Sequence, residues 1–408
     1  MKLVITLSFV FCSLLCYSQK NKKIKIKSGN WVTALRLNEK DILPFNLIIN
    51  NDLSFTVINA EEQIQLDKPV FKNDSIYVKF PYFNSELVFK VVNKKELNGY
   101  WVNYNKGADY KIPCVSVKSN STRFTIDNNN TASFNLTGKW QVEFEPNTNS
   151  GYPAIGLFTQ IPNSNQVTGT FLTETGDYRF LAGGCANDSL FISCFDGSHA
   201  FLFKASLNSD TLIGTFNSGK HWKSDWIGFK NEEFELTSPE DLTYIKENTS
   251  INFTLNSLDN KPFTYPSEEY KNKVIIIQIM GTWCPNCLDE TIYYKSLYDK
   301  YHEDGLEIIS VCYEVGNTQD VYIQNISRYK KQLDLAFTFV IGGNASKNKA
   351  AGDFSMLNDI LSFPTSIFIG RDGEVKLVHT GFNGPGTGIY YDNYVQKTNS
   401  LIEHLLAQ

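Results

Sequence analysis

The sequence predicts an α+β multidomain chain: an antiparallel all-β N-terminal region followed by a C-terminal α/β fold. Three observations carry this. From Ile24 to about Phe234 short strand patterns alternate with turns, and long helical patterns are absent. Beyond residue 250 the pattern switches to apolar strand runs alternating with helical spacing. Between them residues 236–250 are polar and contain a proline, which reads as a linker. At 408 residues the chain has material for two or three domains.

In the N-terminal region the expected strands include Phe45–Asn50, Ser54–Asn59, Ser75–Phe80, Leu87–Val92, Val167–Leu172, Leu190–Cys194, Phe201–Ala205 and Thr211–Phe216, separated by Asn- and Asp-rich turns. A faint internal repeat runs through them. Gly29-Asn-Trp31 matches Gly138-Lys-Trp140, Asn73-Asp-Ser-Ile matches Asn187-Asp-Ser-Leu, and Leu97-Asn-Gly matches Leu212-Ile-Gly, in the same order and at nearly constant separations. The reading is two related β-meander units, 24–120 and 132–234. Both two small barrels and one sandwich satisfy the pattern, and unrelated hairpins would also resemble one another this far.

The first residues read as a targeting segment. Lys2 supplies the positive end, Leu3 to Leu15 is mostly apolar but short for a span, and Ser18 is a small residue at a signal-peptidase position. Residues 1–18 are therefore expected to be a signal peptide, with no transmembrane segment in the mature chain and an exported, periplasmic product. The alternative is a membrane-anchored lipoprotein through Cys16, against which stands Leu15, where a small residue is expected. With a net charge of −5, nothing in the composition is basic enough to suggest nucleic acid. Once the leader is gone, Cys114, Cys185, Cys194, Cys284, Cys287 and Cys312 remain, too few for a disulfide scaffold in a chain this long. Cys312 lies in an apolar strand and reads as a small buried side chain. Cys185 and Cys194 flank the Asn187-Asp188 turn unequally, so they should not face each other across it, and a bond between them is the less favoured of two readings.

Two polar clusters of the second unit, Asp196-Gly-Ser-His199 and Ser218-Gly-Lys-His221-Trp222, admit two readings. One is a ligand-facing patch of His199, His221, Trp222 and Trp226. The other, which is favoured, is turn residues with partly buried aromatics, because isolated histidines are usually structural. A metal site from Cys185, Cys194, His199 and His221 lacks ligand spacing, and no cofactor is called for.

The chemistry concentrates in Gly281-Thr-Trp-Cys-Pro-Asn-Cys287. Val274–Met280 is a continuous apolar run and reads as a buried strand. Pro285 opens a helix through Leu288, Ile292, Leu297 and Tyr298. Cys284 then stands at the helix N-cap, where free amides and the dipole favour a thiolate. Cys287 is three residues on, on the same face. The first sulfur attacks a partner disulfide; the second resolves the mixed disulfide. A zinc knuckle would need a second ligand pair, and none follows. Further strands are expected at 306–314, 337–341, 365–369 and 374–380, with helices near 318–334, 346–358 and 388–407.

This element order, with Trp283-Cys-Pro-Asn-Cys287 after the first strand and Phe363-Pro364-Thr365 before the late hairpin, resembles the thioredoxin fold. Residues 251–408 more narrowly resemble the exported thiol–disulfide oxidoreductases of the TlpA/ResA type. Phe253–Pro262 looks like their N-terminal hairpin extension, and Phe195–Leu202 and Ser218–Trp222 resemble longer members with a β-rich N-terminal region. The resemblance implies that Pro364 is cis beside the sulfurs, with Phe363 and Thr365 bordering Cys284 and the Phe363 backbone receiving an extended partner peptide. It implies that Glu290 takes the proton of Cys287, although an acidic residue there, like Asp289, also complements a helix N-terminus. Trp283 and Pro285 would contact the partner, with plain packing the other reading of Trp283. The implied partners are protein or small-molecule disulfides and a membrane thiol electron donor.

Gly381-Phe-Asn-Gly-Pro-Gly-Thr-Gly388 lacks the Gly-Lys-Ser/Thr ending of a phosphate loop and reads as a glycine-rich connection. The expected function is disulfide reduction at Cys284 and Cys287. One alternative is a peroxiredoxin-like thiol peroxidase, against which Thr282 stands two residues before Cys284 rather than three. The other is a non-catalytic binding protein with a vestigial dithiol.

Overall fold

The computed structural model describes residues 26–124, 134–162 and 164–408. The expected signal peptide, with Cys12 and Cys16, lies outside the described residues.

Residues 29–118 form one nine-stranded antiparallel sheet. Its first strand, Gly29–Arg36, and its last, Lys111–Lys118, lie side by side at the centre, and the chain winds outward from them on both sides. Glu62–Gln65 and Val70–Lys72 are its edges, so this sheet stays open. Residues 138–230 repeat the same winding, with Gly138–Phe144 beside Trp222–Lys230. Here Gln166–Thr173 pairs with both Tyr152–Gln160 and Leu181–Ala186, which closes the sheet into a barrel and removes its edges.

The repeat is visible at atomic detail. Gly29 and Gly138 both hold positive φ, and the indole N–H of Trp31 and of Trp140 each donates to the carbonyl four residues earlier, at 3.1 and 2.9 Å. Asn73 and Asn187 both take left-handed turns, as short amides tolerate. Rings fill the two interiors. Phe144, Phe171, Phe203 and Phe216 pack within the barrel. Phe195 leaves the barrel to sit in the open sheet's core against Phe45, Phe80 and Trp101. Asn59 clamps the Phe195 backbone through both its amide atoms, so the barrel is seated in the open sheet. Cys185 and Cys194 are buried and unbonded, opposite Leu190 and Phe201 respectively.

The C-terminal part is built from β1 (Phe253–Ser257), β2 (Pro262–Tyr265), β3 (Val274–Met280), α1 (Pro285–Tyr301), β4 (Leu306–Glu314), α2 (Gln319–Leu333), β5 (Thr338–Asn344), α3 (Lys347–Asp353), β6 (Thr365–Ile369), β7 (Val375–Thr380) and α4 (Ile389–Leu406). The sheet order is β2-β1-β5-β4-β3-β6-β7. Strands β3, β4 and β5 are parallel, while hairpins β1-β2 and β6-β7 add antiparallel edges. This is a thioredoxin-like α/β fold with an added N-terminal hairpin. Every residue of β3 is buried, as expected for a central strand covered on both faces.

Helix α3 ends at Asp353, short of the expected 358, because the next backbone has other partners. Lys246 N–H donates to Met356 O, and Ile245 bridges Leu357. The polar stretch 236–250 is thus docked on the C-terminal fold, with a helical turn at Pro239–Leu242 and Thr380 Oγ1 donating to Thr243 Oγ1. No helix among the described residues is long and apolar enough to cross a membrane.

Candidate dithiol site

Strand β3 stops at Gly281, and α1 starts four residues later with Cys284 as its N-cap. The Cys287 N–H donates to Cys284 Sγ at 3.3 Å, one of the orphan amides of the helix opening. Cys284 is 7% exposed and Cys287 fully buried, and both are free thiols. Burial, followed by the neighbouring Cys284 sulfur, pushes the Cys287 thiol well above its ordinary range.

The Phe363–Pro364 peptide is cis and brings the loop before β6 against this opening, where Cys284 Sγ donates to Phe363 O at 3.4 Å. The Phe363 ring stacks on Tyr313 at 5.5 Å and meets Trp283 edge-on at 6.1 Å. Trp283 Nε1 donates to Tyr313 O at 2.9 Å, so the indole is tied to β4. Thr365 is buried, its hydroxyl donating to Ser362 O. Thr282 sends its N–H and hydroxyl to the buried Glu314 carboxylate at 2.8 and 2.7 Å, which engages that hydroxyl's proton.

Glu290 lies fully buried on α1. Its carboxylate accepts from Gln278 Nε2 (2.9 Å), Ser366 Oγ (3.0 Å), Tyr294 (3.1 Å) and Tyr394 (3.3 Å). Burial pushes its carboxyl up to about 7, and the four donors oppose part of that rise. None of these four partners was singled out from sequence. Gln278 left a signal, as the one polar residue inside the apolar run of β3; the tyrosines and Ser366 left none.

Sequence reasoning also missed the barrel's part in this site. Arg179, buried in the loop after the 173–178 hairpin, donates to Pro285 O at 3.3 Å and pairs with Asp289 on α1. The same guanidinium pairs with Glu62 of the open sheet at 2.5 Å and lies 3.6 Å from Asp196. Burial works against this charge, yet Asp289, Glu62 and Asp196 hold the guanidinium protonated far above its ordinary range. The Asp196–His199 turn, read from sequence as structural, rests on the cysteine loop: Ser198 Oγ donates to Trp283 O at 3.0 Å. The ligand patch weighed for this unit does not assemble, since His221 sits between Lys106 and Tyr110 and Trp226 is barrel core. Among the described residues no group of three or more His, Cys, Asp or Glu is arranged to hold a metal.

Two free cysteines at the opening of α1, beside a cis-proline loop in a thioredoxin-like sheet, form the arrangement expected of a thiol–disulfide exchange protein. A model of the Redoxin family matches residues 246–393. The chain is 30% identical to the thiol-disulfide oxidoreductase ResA of Bacillus thuringiensis subsp. konkukian over 149 residues, which are 36% of this chain and 76% of that protein. It is 30% identical to a ResA of Bacillus cereus over 173 residues, 42% of this chain and 87% of that one. Among solved structures, it is similar to a thiol:disulfide interchange protein of Chlorobium tepidum TLS, with 20% identity and a TM-score of 0.30 over 40% of this chain and 99% of that one. The chain belongs to the ResA-type thiol–disulfide oxidoreductases of the thioredoxin-like superfamily, through its C-terminal part.

Proposed function

We propose that this chain is an exported reductase of protein disulfides in the cell envelope, working through Cys284 and Cys287 and recharged by a membrane thiol donor. The observation that carries the reading is the stacking order at the helix opening. Cys284 meets the surface, Cys287 lies buried beneath it, and Glu290 lies buried one turn further in.

The Cys284 thiolate attacks one sulfur of the client disulfide and releases the other as a thiolate. Cys287 gives its proton to Glu290 and attacks Cys284 Sγ. The mixed disulfide breaks, the client's second sulfur leaves and takes up a proton, and a Cys284–Cys287 bond remains. Two electrons from the donor then restore both thiols. Phe363 and Pro364 border the incoming chain, Trp283 forms one wall, and Thr365 fixes the loop from behind. Pro285, another of the expected contacts, is buried with its carbonyl taken by Arg179. The engagement of Thr282 with Glu314 speaks for dithiol exchange over peroxide reduction. The positive Lys2, the apolar Leu3–Leu15 run and the small Ser18 support export to the periplasm.

The test is a Cys287→Ala chain expressed in its native envelope. Mixed disulfides through Cys284 to exported proteins are expected on non-reducing gels. Recovery of no adduct, or of adducts through another cysteine, would contradict the reading.

A further inference from the structure

The barrel is fastened to both loops that frame the reactive sulfur. On the cysteine loop, Arg179 holds Pro285 O and Asp289, and Ser198 holds Trp283 O. Gly176 lies so close that a Cβ there would fall 2.2 Å from Asn286 Nδ2. On the cis-proline loop, Ser362 Oγ donates to Thr175 O at 2.8 Å. The glycine-rich connection joins in, with Gly384 N–H donating to Asp177 at 2.6 Å and Phe382 O accepting from Asn286. Pro285 and Asn286 are consequently buried, and Cys284 is 7% exposed.

A cleft of about 390 Å³ remains between the barrel and these loops. Tyr178, His199 and Phe201 line one side, and Asn286, Ser362 and Phe363 the other. Phe363 is also the residue whose carbonyl accepts from Cys284 Sγ, so the cleft shares a lining residue with the reacting sulfur's surroundings. Its lining holds no lysine or arginine, and Asp177 is its one carboxylate.

Resting on the dithiol reading above, we propose that the barrel is the second wall of the substrate cleft and selects what reaches Cys284. The occupant is an extended client segment with uncharged, aromatic side chains next to its disulfide cysteine. A disulfide held on a folded surface cannot approach, because the faces around Pro285 and Asn286 are already covered. A small anionic disulfide finds no lysine or arginine in the lining to receive it. Rings on both sides of the slot suit a flat apolar side chain. The covalent step is the one already written, with the client sulfur delivered along the slot.

The probes are a linear peptide whose single cysteine, flanked by tyrosines, is paired with 2-nitro-5-thiobenzoate, and oxidised glutathione. Thr175→Trp, at an exposed hairpin position, fills the slot without touching the sulfurs. It is expected to lower kcat/KM for the peptide about tenfold and leave oxidised glutathione within about twofold. As a second measurement, the Cys287→Ala chain is trapped on the peptide carrying a photo-reactive phenylalanine beside its cysteine. Cross-links are expected at 173–178 or 199–201. Equal loss for both probes, no loss for either, or cross-links confined to 251–408 would overturn the proposal while exchange by the unaltered chain keeps the dithiol reading. No exchange of either probe by the unaltered chain would overturn both.

Discussion

Glu290 accepts four hydrogen bonds and still sits in a place that resists its charge. With burial holding its carboxyl at about 7 against an ordinary 4.5, the folded state keeps the proton across pH 4.5–7 while the unfolded state releases it. Stability from this group is full below about pH 4.5 and falls as pH rises toward 7, by on the order of 3 kcal/mol. Glu290→Gln should flatten that part of the stability–pH curve, read by urea denaturation at several pH values. On the proposed mechanism the same change removes the acceptor for the Cys287 proton, so resolution of a preformed mixed disulfide should slow about a hundredfold near neutral pH. Burial also orders the thiols. Iodoacetamide should modify Cys284 first and spare Cys287, Cys194 and Cys312, all fully buried, as peptide mapping would show. The placement of the two cysteines at a helix opening was readable from local pattern, because an apolar strand run, a Gly and a Pro at the first helical position lie within a dozen residues. The partners of Glu290 were not, since Tyr394 is brought to it from about a hundred residues away.

At the scale of elements, β3 and α1 do most to place the site, and both were legible from local pattern. Seven apolar-run residues covered on both faces can only be a central strand, and Pro285 marks a first helical turn. The joint between them is tight. A Cβ on Gly281 would fall 2.3 Å from Trp283 Nε1 and 2.6 Å from Tyr313 O. Gly281→Ala should therefore displace the indole, shift its fluorescence and destabilise the fold by about 1–3 kcal/mol in denaturant. Helix α3 was drawn too long because its limit is set by residues 245 and 246, a partner that helical spacing within 346–358 does not contain. The repeated Gly-x-Trp starts were legible for the opposite reason: the positive φ and the indole bond span only a few residues.

On the scale of the molecule, the open sheet, the barrel and helix α1 meet at Arg179. One guanidinium faces Glu62 from the open sheet, Asp196 from the barrel and Asp289 from α1. Removing it leaves buried carboxylates without a counter-charge, a change that costs about 3–5 kcal/mol. Arg179→Met should show that loss at pH 7 and less of it at pH 4, where carboxylates regain protons, as thermal melts at the two pH values would report. Nothing local to Arg179 announces this role, because Glu62 and Asp289 lie more than a hundred residues away on either side of it. The closing of one sheet and the opening of the other were hidden for the same reason: they depend on whether two distant strands pair.

The most direct measurement is a redox titration of the purified chain, with each cysteine's state read by differential alkylation and peptide mapping. Cys284 and Cys287 should oxidise together as one two-electron couple, about 30 mV per tenfold change in the ratio of oxidised to reduced chain, with Cys114, Cys185, Cys194 and Cys312 reduced throughout. Oxidation of Cys284 without Cys287, or a bond forming elsewhere first, would contradict it.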